Sequence, residues 1–295
     1  MKISLLDGEF IVLSDLHIGH QASRLQGVAP LAPLMARGRT LIFNGDTFEM
    51  RSNSDRQHSA AWVSELQALL ENSGTRGIFI SGNHDPIISE TNHLECAETG
   101  TLITHGDVLF DNVAPWSTNA SRYASAHQRE LAGLKPEEKS DLATRLAALR
   151  RATCSYDISH VPARPGLVGA VVHFLETVWP PWRPLRILQS WAEIPSRAWE
   201  FSQTWRPGTR TLIIGHSHLG GVWHRNALTV INTGTSMVGF RPRAVRIAQG
   251  VITLHRLILK NGGFDLGAPI KTLPFTNNQG IAEVAKNAGP QVMTK

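Results

Sequence analysis

The stretch Ile78-Phe79-Ile80-Ser81-Gly82-Asn83-His84-Asp85 places a short strand-like run directly before a glycine and three chemically capable side chains. Gly82 permits a tight turn at the strand end. The Asn83 carbonyl is a hard oxygen donor of the kind Mn²⁺ or Fe accepts. His84 can move a proton near neutral pH, and Asp85 stands beside it to orient it. The pattern recurs along the chain. Residues 10–14 lead into Asp15-Leu16-His17, and residues 41–43 lead into Gly45-Asp46. Residues 102–104 lead into His105-Gly106, and residues 212–214 into Gly215-His216-Ser217-His218. A parallel or mixed sheet delivers the C-terminal ends of its strands to one rim, so blocks from both halves of the chain can meet there.

Each block is modest on its own. Asp15 and His17 lie two apart, and in a strand such residues share a face and can bind one ion. The same pair also suits an exposed turn. Gly45-Asp46 is most often a turn, but an Asp there can bridge two metals through its two oxygens. A lone histidine such as His105 is usually a satisfied polar group, whereas the His216/His218 pair is a better ligand signal. Five such signals in order, each after an apolar run, define an N/O donor set.

Composition narrows the class. The chain has 295 residues, 42% of them hydrophobic, enough for a substantial core. Its two cysteines, Cys96 and Cys154, lie in no zinc-like spacing and read as reduced thiols in a cytoplasmic protein. No apolar run approaches the ~20 residues of a spanning helix, and MKISLLDGEF lacks a signal-peptide core. The net charge is +5, with 22 Arg against 7 Lys. Arg favours phosphate oxygens, yet a solvated basic surface explains the charge equally well.

Residues 10–110 alternate strand and helix signals, with a helix expected over 55–72 and Gly74 after its end. Residues 111–209 carry no such blocks. Helices are expected over 136–151, 168–179 and about 185–205, with Pro180-Pro181 as a break. Six of the eight tryptophans fall here, Trp116, Trp179, Trp182, Trp191, Trp199 and Trp205. Strands are expected over 228–232, 243–248 and 251–259, with Gln249-Gly250 as a tight turn. The organisation is thus a discontinuous core of 1–110 and 210–262, a helical insertion or lid over 111–209, and a loosely structured tail over 263–295.

The ordered blocks D-x-H, G-D, G-N-H-D, H and G-H-x-H resemble those of the calcineurin-like metallophosphoesterase superfamily, across residues 10–110 and 211–235. The resemblance implies an α/β (α+β) fold, a four-layer α/β/β/α sandwich. It implies two divalent metal ions, Mn²⁺ foremost and Fe, Zn or Ni also accepted. One would be held by Asp15, His17, Asp46 and His218, the other by Asp46, Asn83, His105 and His216. It further implies that a metal-bridging hydroxide attacks phosphorus in line, with His84 protonating the leaving oxygen or stabilising the phosphoryl charge.

Within that superfamily, Gly45-Asp46-Thr47-Phe48-Glu49 departs from the protein phosphatase block. Together with Leu102–Asp107 and the long insertion it is similar to the UDP-2,3-diacylglucosamine hydrolase branch, although that branch usually has Arg where His84 stands. The expected activity is hydrolysis of a phosphodiester or pyrophosphate, on a lipid-linked nucleotide sugar or other lipid-like phosphoester. The Arg/Trp-rich insertion suits lipid contact at the inner membrane face, or simple packing on the core. A nuclease acting on DNA and an inactive scaffold are the alternatives; nucleic acid ranks lower as a partner, and oligomeric state is left open.

Overall fold

The computed structural model describes residues 1–154 and 179–275. Its strands in chain order are β1 (Glu9–Leu13), β2 (Arg39–Asn44), β3 (Arg76–Ile80), β4 (His93–Cys96), β5 (Thr101–Thr104) and β6 (Thr211–Ile214). They continue as β7 (Gly221–Arg225), β8 (Leu228–Asn232), β9 (Arg243–Ala248), β10 (Val251–Lys260) and β11 (Gly263–Pro274). The helices are α1 (Asn53–Ser73), α2 (Ala120–Ala132), α3 (Pro136–Lys139), α4 (Leu142–Cys154) and α5 (Trp182–Trp205). The strands form two mixed sheets, ordered β11-β10-β9-β1-β2-β3 and β4-β5-β6-β8-β7.

Period-two alternation assigns each face. Phe10, Val12, Ile42, Ile78 and Ile80 of the first sheet pack against Leu94, Ile103, Ile213 and Ile231 of the second. The alternate residues Ile11, Leu13, Leu41 and Phe43 face outward, where Leu66 and Leu70 of α1 cover them. The outer face of the second sheet presents Leu102, Leu212, Ile214, Leu228 and Val230 to Leu142 and Leu146 of α4 and to Ile194, Ala198 and Phe201 of α5. The layers therefore run α/β/β/α, as expected. Helix α1 starts on a capping box between Ser52 and Asp55 and ends on Gly74 in the left-handed region, φ 67°.

Several expectations need correction. Among the described residues of 111–209, α4 and α5 cover the apolar outer face of the second sheet. Of the six tryptophans there, Trp116, Trp191, Trp199 and Trp205 pack on that layer's core. The helix expected over 136–151 is two helices, because Asp141 accepts the Thr144 N–H at 2.8 Å and starts α4 afresh. The expected tail begins as strand β11, paired with β10 through a register shift that hides the alternation. Strands β4 and β7 and helix α2 were not anticipated. The helix expected over 168–179 lies outside the described residues except at its end. Among the described residues, no helix is long and apolar enough to cross a membrane.

Parallel pairing of β1 with β2 and β2 with β3, and of β5 with β6 and β6 with β8, brings six strand ends to one rim, five of them leading into the candidate blocks. Bridging backbone bonds join them, among them Asp15 N–H to Gly45 O at 3.1 Å and Gly215 N–H to His105 O at 2.8 Å.

Candidate metal centre

Asp15 and His17 follow β1 but do not continue it as a strand. Both adopt left-handed backbone, φ 50° and 48°, as do Asp46 at 52°, His216 at 65° and His218 at 63°. Such conformations are uncommon outside glycine and cost about 1–3 kcal/mol each, so they persist only where the surroundings over-determine them. Here side chains and carbonyls do so. The Asp15 carboxylate accepts the His216 N–H at 2.9 Å, and its carbonyl accepts Thr235 Oγ1 at 2.8 Å. Two glycines allow the close approach. A Cβ on Gly82 would overlap the Asp46 carboxylate, and one on Gly215 would overlap that of Asp15.

All seven candidate ligands converge. Asp15, His17 and His218 form one group whose ligating atoms lie within 4.8 Å of one another, and Asp46, His105 and His216 form a second. His17 Nε2 stands 3.1 Å from His218 Nε2 and 3.9 Å from both Asp15 Oδ1 and Asp46 Oδ2. On the other side, His105 Nε2 lies 3.3 Å from Asp46 Oδ2 and 3.3 Å from Asn83 Oδ1. Asp46 Oδ2 therefore faces both groups. Its Oδ1 does not, since it accepts the His84 N–H at 2.8 Å. A single oxygen of Asp46 faces both donor groups, while the other is taken by a backbone N–H.

The residues fit cations on their own evidence. Three imidazoles have their outward nitrogen tied to an acceptor, which leaves the inward nitrogen as a lone-pair donor. His17 Nδ1 meets Glu49 Oε1 at 2.8 Å, His105 Nδ1 meets the Asn44 carbonyl at 3.0 Å, and His216 Nε2 meets the Val113 carbonyl at 2.7 Å. Such inward nitrogens as His17 Nε2 and His218 Nε2, in hydrogen-bond range of each other, need a proton or a metal between them. Burial pushes His105 down, but the Asp46 carboxylate outweighs it and holds the imidazole well above its usual range. Burial, with His105 adjacent, pushes His216 down to about 3.

Asp85 takes a different part from the one expected. Its carboxylate accepts the N–H groups of Asp46, Thr47 and Gly82 at 2.9, 2.7 and 2.9 Å, so it clamps the turn that carries Asp46. Burial and the Asp46 charge raise it to about 7. The residue that orients His84 is Glu49, whose Oε2 lies 2.9 Å from His84 Nδ1. Glu49 therefore ties His17 and His84 together. The sequence showed Glu49 as the last residue of the Gly45–Glu49 block but gave it no role, because it stands between Phe48 and Met50, which read as core. Aromatic rings wall the site, with Trp116 5.2 Å from His216 and Phe240 5.8 Å from His218, ring centre to ring centre. Helix α5 reaches the same loop through Trp191 Nε1, which donates to the Ser217 carbonyl at 2.8 Å.

No protein-family model and no curated protein match the sequence. Solved structures with a similar course include Vacuolar Protein Sorting 29 from Cryptosporidium parvum, at 12% identity and TM-score 0.43 over 90% of this chain and 98% of that one. A Streptococcus pneumoniae protein described as a predicted phosphoesterase aligns at 14% identity and TM-score 0.37, over 90% of this chain and 97% of that one. The cold-active protein-tyrosine phosphatase of a Shewanella species aligns at 14% identity and TM-score 0.43, over 90% and 81%. At such identities the chemistry rests on this chain's own side chains.

Proposed function

We propose that this chain is a divalent-metal-dependent phosphoester hydrolase, and that Asp46 Oδ2 is shared between two cation sites. The observation that carries this is the pair of donor groups meeting at one carboxylate oxygen, with the inward nitrogens of His17, His105 and His216 set by fixed acceptors. Asp15, His17, Asp46 and His218 would hold one ion; Asp46, Asn83, His105 and His216 would hold the other. When bound, two such ions supply an activated water and stabilise charge on both the attacking and leaving oxygens of phosphoryl transfer.

The protein's own part is positioning and proton control. His84 keeps its Nδ1 against Glu49, so Nε2 faces inward, 3.9 Å from Asp46 Oδ2, free to hold or give up a proton at the leaving oxygen. Asp85 keeps the Asp46 turn rigid, and Trp116 and Phe240 keep water off the flanks. Neutral His and Asn donors leave net positive charge for an anionic phosphoryl group.

The substrate class we favour is a phosphodiester or pyrophosphate on a lipid-like molecule, met at a membrane surface in the cytoplasm. Support comes from the outer half of α5 and the residue shortly before it. Trp179, Trp182, Leu185 and Leu188 are 70%, 43%, 68% and 57% exposed, beside Arg183 and Arg186, on the helix whose Trp191 touches the site. The deciding experiment measures metal content and bis-p-nitrophenyl phosphate hydrolysis with Mn²⁺ for the natural chain, Asp46→Ala and His84→Ala. A natural chain that binds no metal and hydrolyses nothing sinks the proposal.

A further inference from the structure

Strand β9 runs antiparallel to β1, and β10 antiparallel to β9, so the start of β9 and the far half of β10 come to the rim that carries the donor groups. Arg243 and Arg256 occupy directly opposite positions in that ladder. Like charges in opposite positions destabilise a sheet. Arg241 stands two residues before Arg243. Among the described residues, no carboxylate, carbonyl or aromatic ring pairs with any of these three guanidinium groups, whereas Arg246, on the same strand, is paired with Glu9 at 2.6 Å.

Arg243 is half-buried at the rim, while Arg241 and Arg256 beside it are exposed. Arg243 lies against the backbone of Gly220, where an added Cβ would meet its Cδ at 2.9 Å and its Nε at 3.0 Å. Gly220 follows the candidate ligand His218 by two residues, a span of at most about 7 Å. Arg24 Nη2 donates to the Phe240 carbonyl at 3.2 Å, and Phe240, next to Arg241 in sequence, is the ring beside His218. Burial, then Arg256 and Arg241, lowers the Arg243 guanidinium below its ordinary range, the direction expected of like charges crowded without a counter-ion.

We infer that Arg243, flanked by Arg241 and Arg256, forms an anion subsite beside the hydrolytic centre that grips a second phosphoryl group of the substrate. The inference rests on the hydrolase reading and narrows it to diphosphate esters. Guanidinium forks bind phosphate oxygens in pairs, and three forks with no partner among the described residues suit a group carrying more than one negative charge. A simple phosphodiester has nothing to place there.

Two measurements test this. The first is calorimetric titration of the EDTA-stripped protein with inorganic pyrophosphate and with orthophosphate. Pyrophosphate should bind the natural chain at least ~10-fold more tightly than orthophosphate, and Arg243→Gln should lose at least ~10-fold, with Arg243→Lys between them. The second compares KM for UDP-glucose, a diphosphate diester, with KM for bis-p-nitrophenyl phosphate. Arg243→Gln should raise the first ~10- to 100-fold and leave the second within about twofold. Its melting temperature should equal or exceed that of the natural chain, since a like-charge repulsion is removed; a purely structural arginine would lower it. Pyrophosphate binding unchanged by Arg243→Gln, or equal losses on both substrates, overturns the subsite. Tighter competition by single-stranded DNA than by pyrophosphate overturns the diphosphate assignment in favour of a polynucleotide. A natural chain that binds pyrophosphate but hydrolyses neither ester would remove the hydrolase reading and leave the anion site standing.

Discussion

At the rim, five non-glycine residues hold left-handed backbone, and one carboxylate, that of Asp85, accepts several backbone N–H groups of the two turns beside it. In the outer layer of α4 and α5, Leu142, Leu146, Ile194, Ala198 and Phe201 meet the sheet through apolar contact, and direct polar ties to the rim are few. The first region is specified by directional bonds, which fix atoms to fractions of an ångström. The second is specified by buried area, which tolerates sliding and exchange of similar volumes. Geometry-dependent chemistry belongs in the first region, and most of the layer's stabilising burial in the second.

That contrast can be broken by substitution. Asp46→Ala should have the largest effect, lowering kcat/KM on bis-p-nitrophenyl phosphate by on the order of 10⁴-fold or more, with metal content falling to background by emission spectrometry. His84→Ala should retain metal but slow turnover by ~10²–10⁴-fold; loss of metal would mean His84 is a ligand. Phe201→Ala, in the outer layer, should cost about 3–5 kcal/mol in urea unfolding while kcat per folded molecule stays within about twofold. A large loss of kcat without lost stability would show that the helices act in catalysis after all. Glu49→Gln should lower activity and metal affinity by ~10–100-fold, because it loosens His17 and His84 together.

The smallest effect concerns pH and involves none of the candidate ligands. Burial holds His93 on β4 down at about 4, below its ordinary 6.5. The unfolded chain therefore binds more protons between those values, and stability should fall as pH drops from 6.5 towards 4. His93→Asn should flatten this slope, read as the change in urea midpoint between pH 7 and pH 5. An unchanged slope would assign the acid sensitivity elsewhere.

The strand runs before each block, the capped helix α1 and the Gln249-Gly250 turn were all legible locally. Strands β4 and β7 were not, because they are short and one is only partly buried, so alternation is weak. Helix α2 buries Tyr123 against Val113 and Leu149 of α4, a contact between segments remote in sequence. Glu49 hid because its neighbours Phe48 and Met50 are core residues, and nothing local reveals that its carboxylate meets two imidazoles.

Sequence alone settled which residue types stand at the strand ends and in what order, since ligating atoms and tight turns each demand particular side chains. Tertiary structure alone decided which oxygen of Asp46 faces both donor groups, that Glu49 and not Asp85 holds His84, and that three arginines crowd together at the end of β9 and β10. Those outcomes depend on groups brought within hydrogen-bonding distance from remote parts of the chain, and no local pattern of residues encodes such distances.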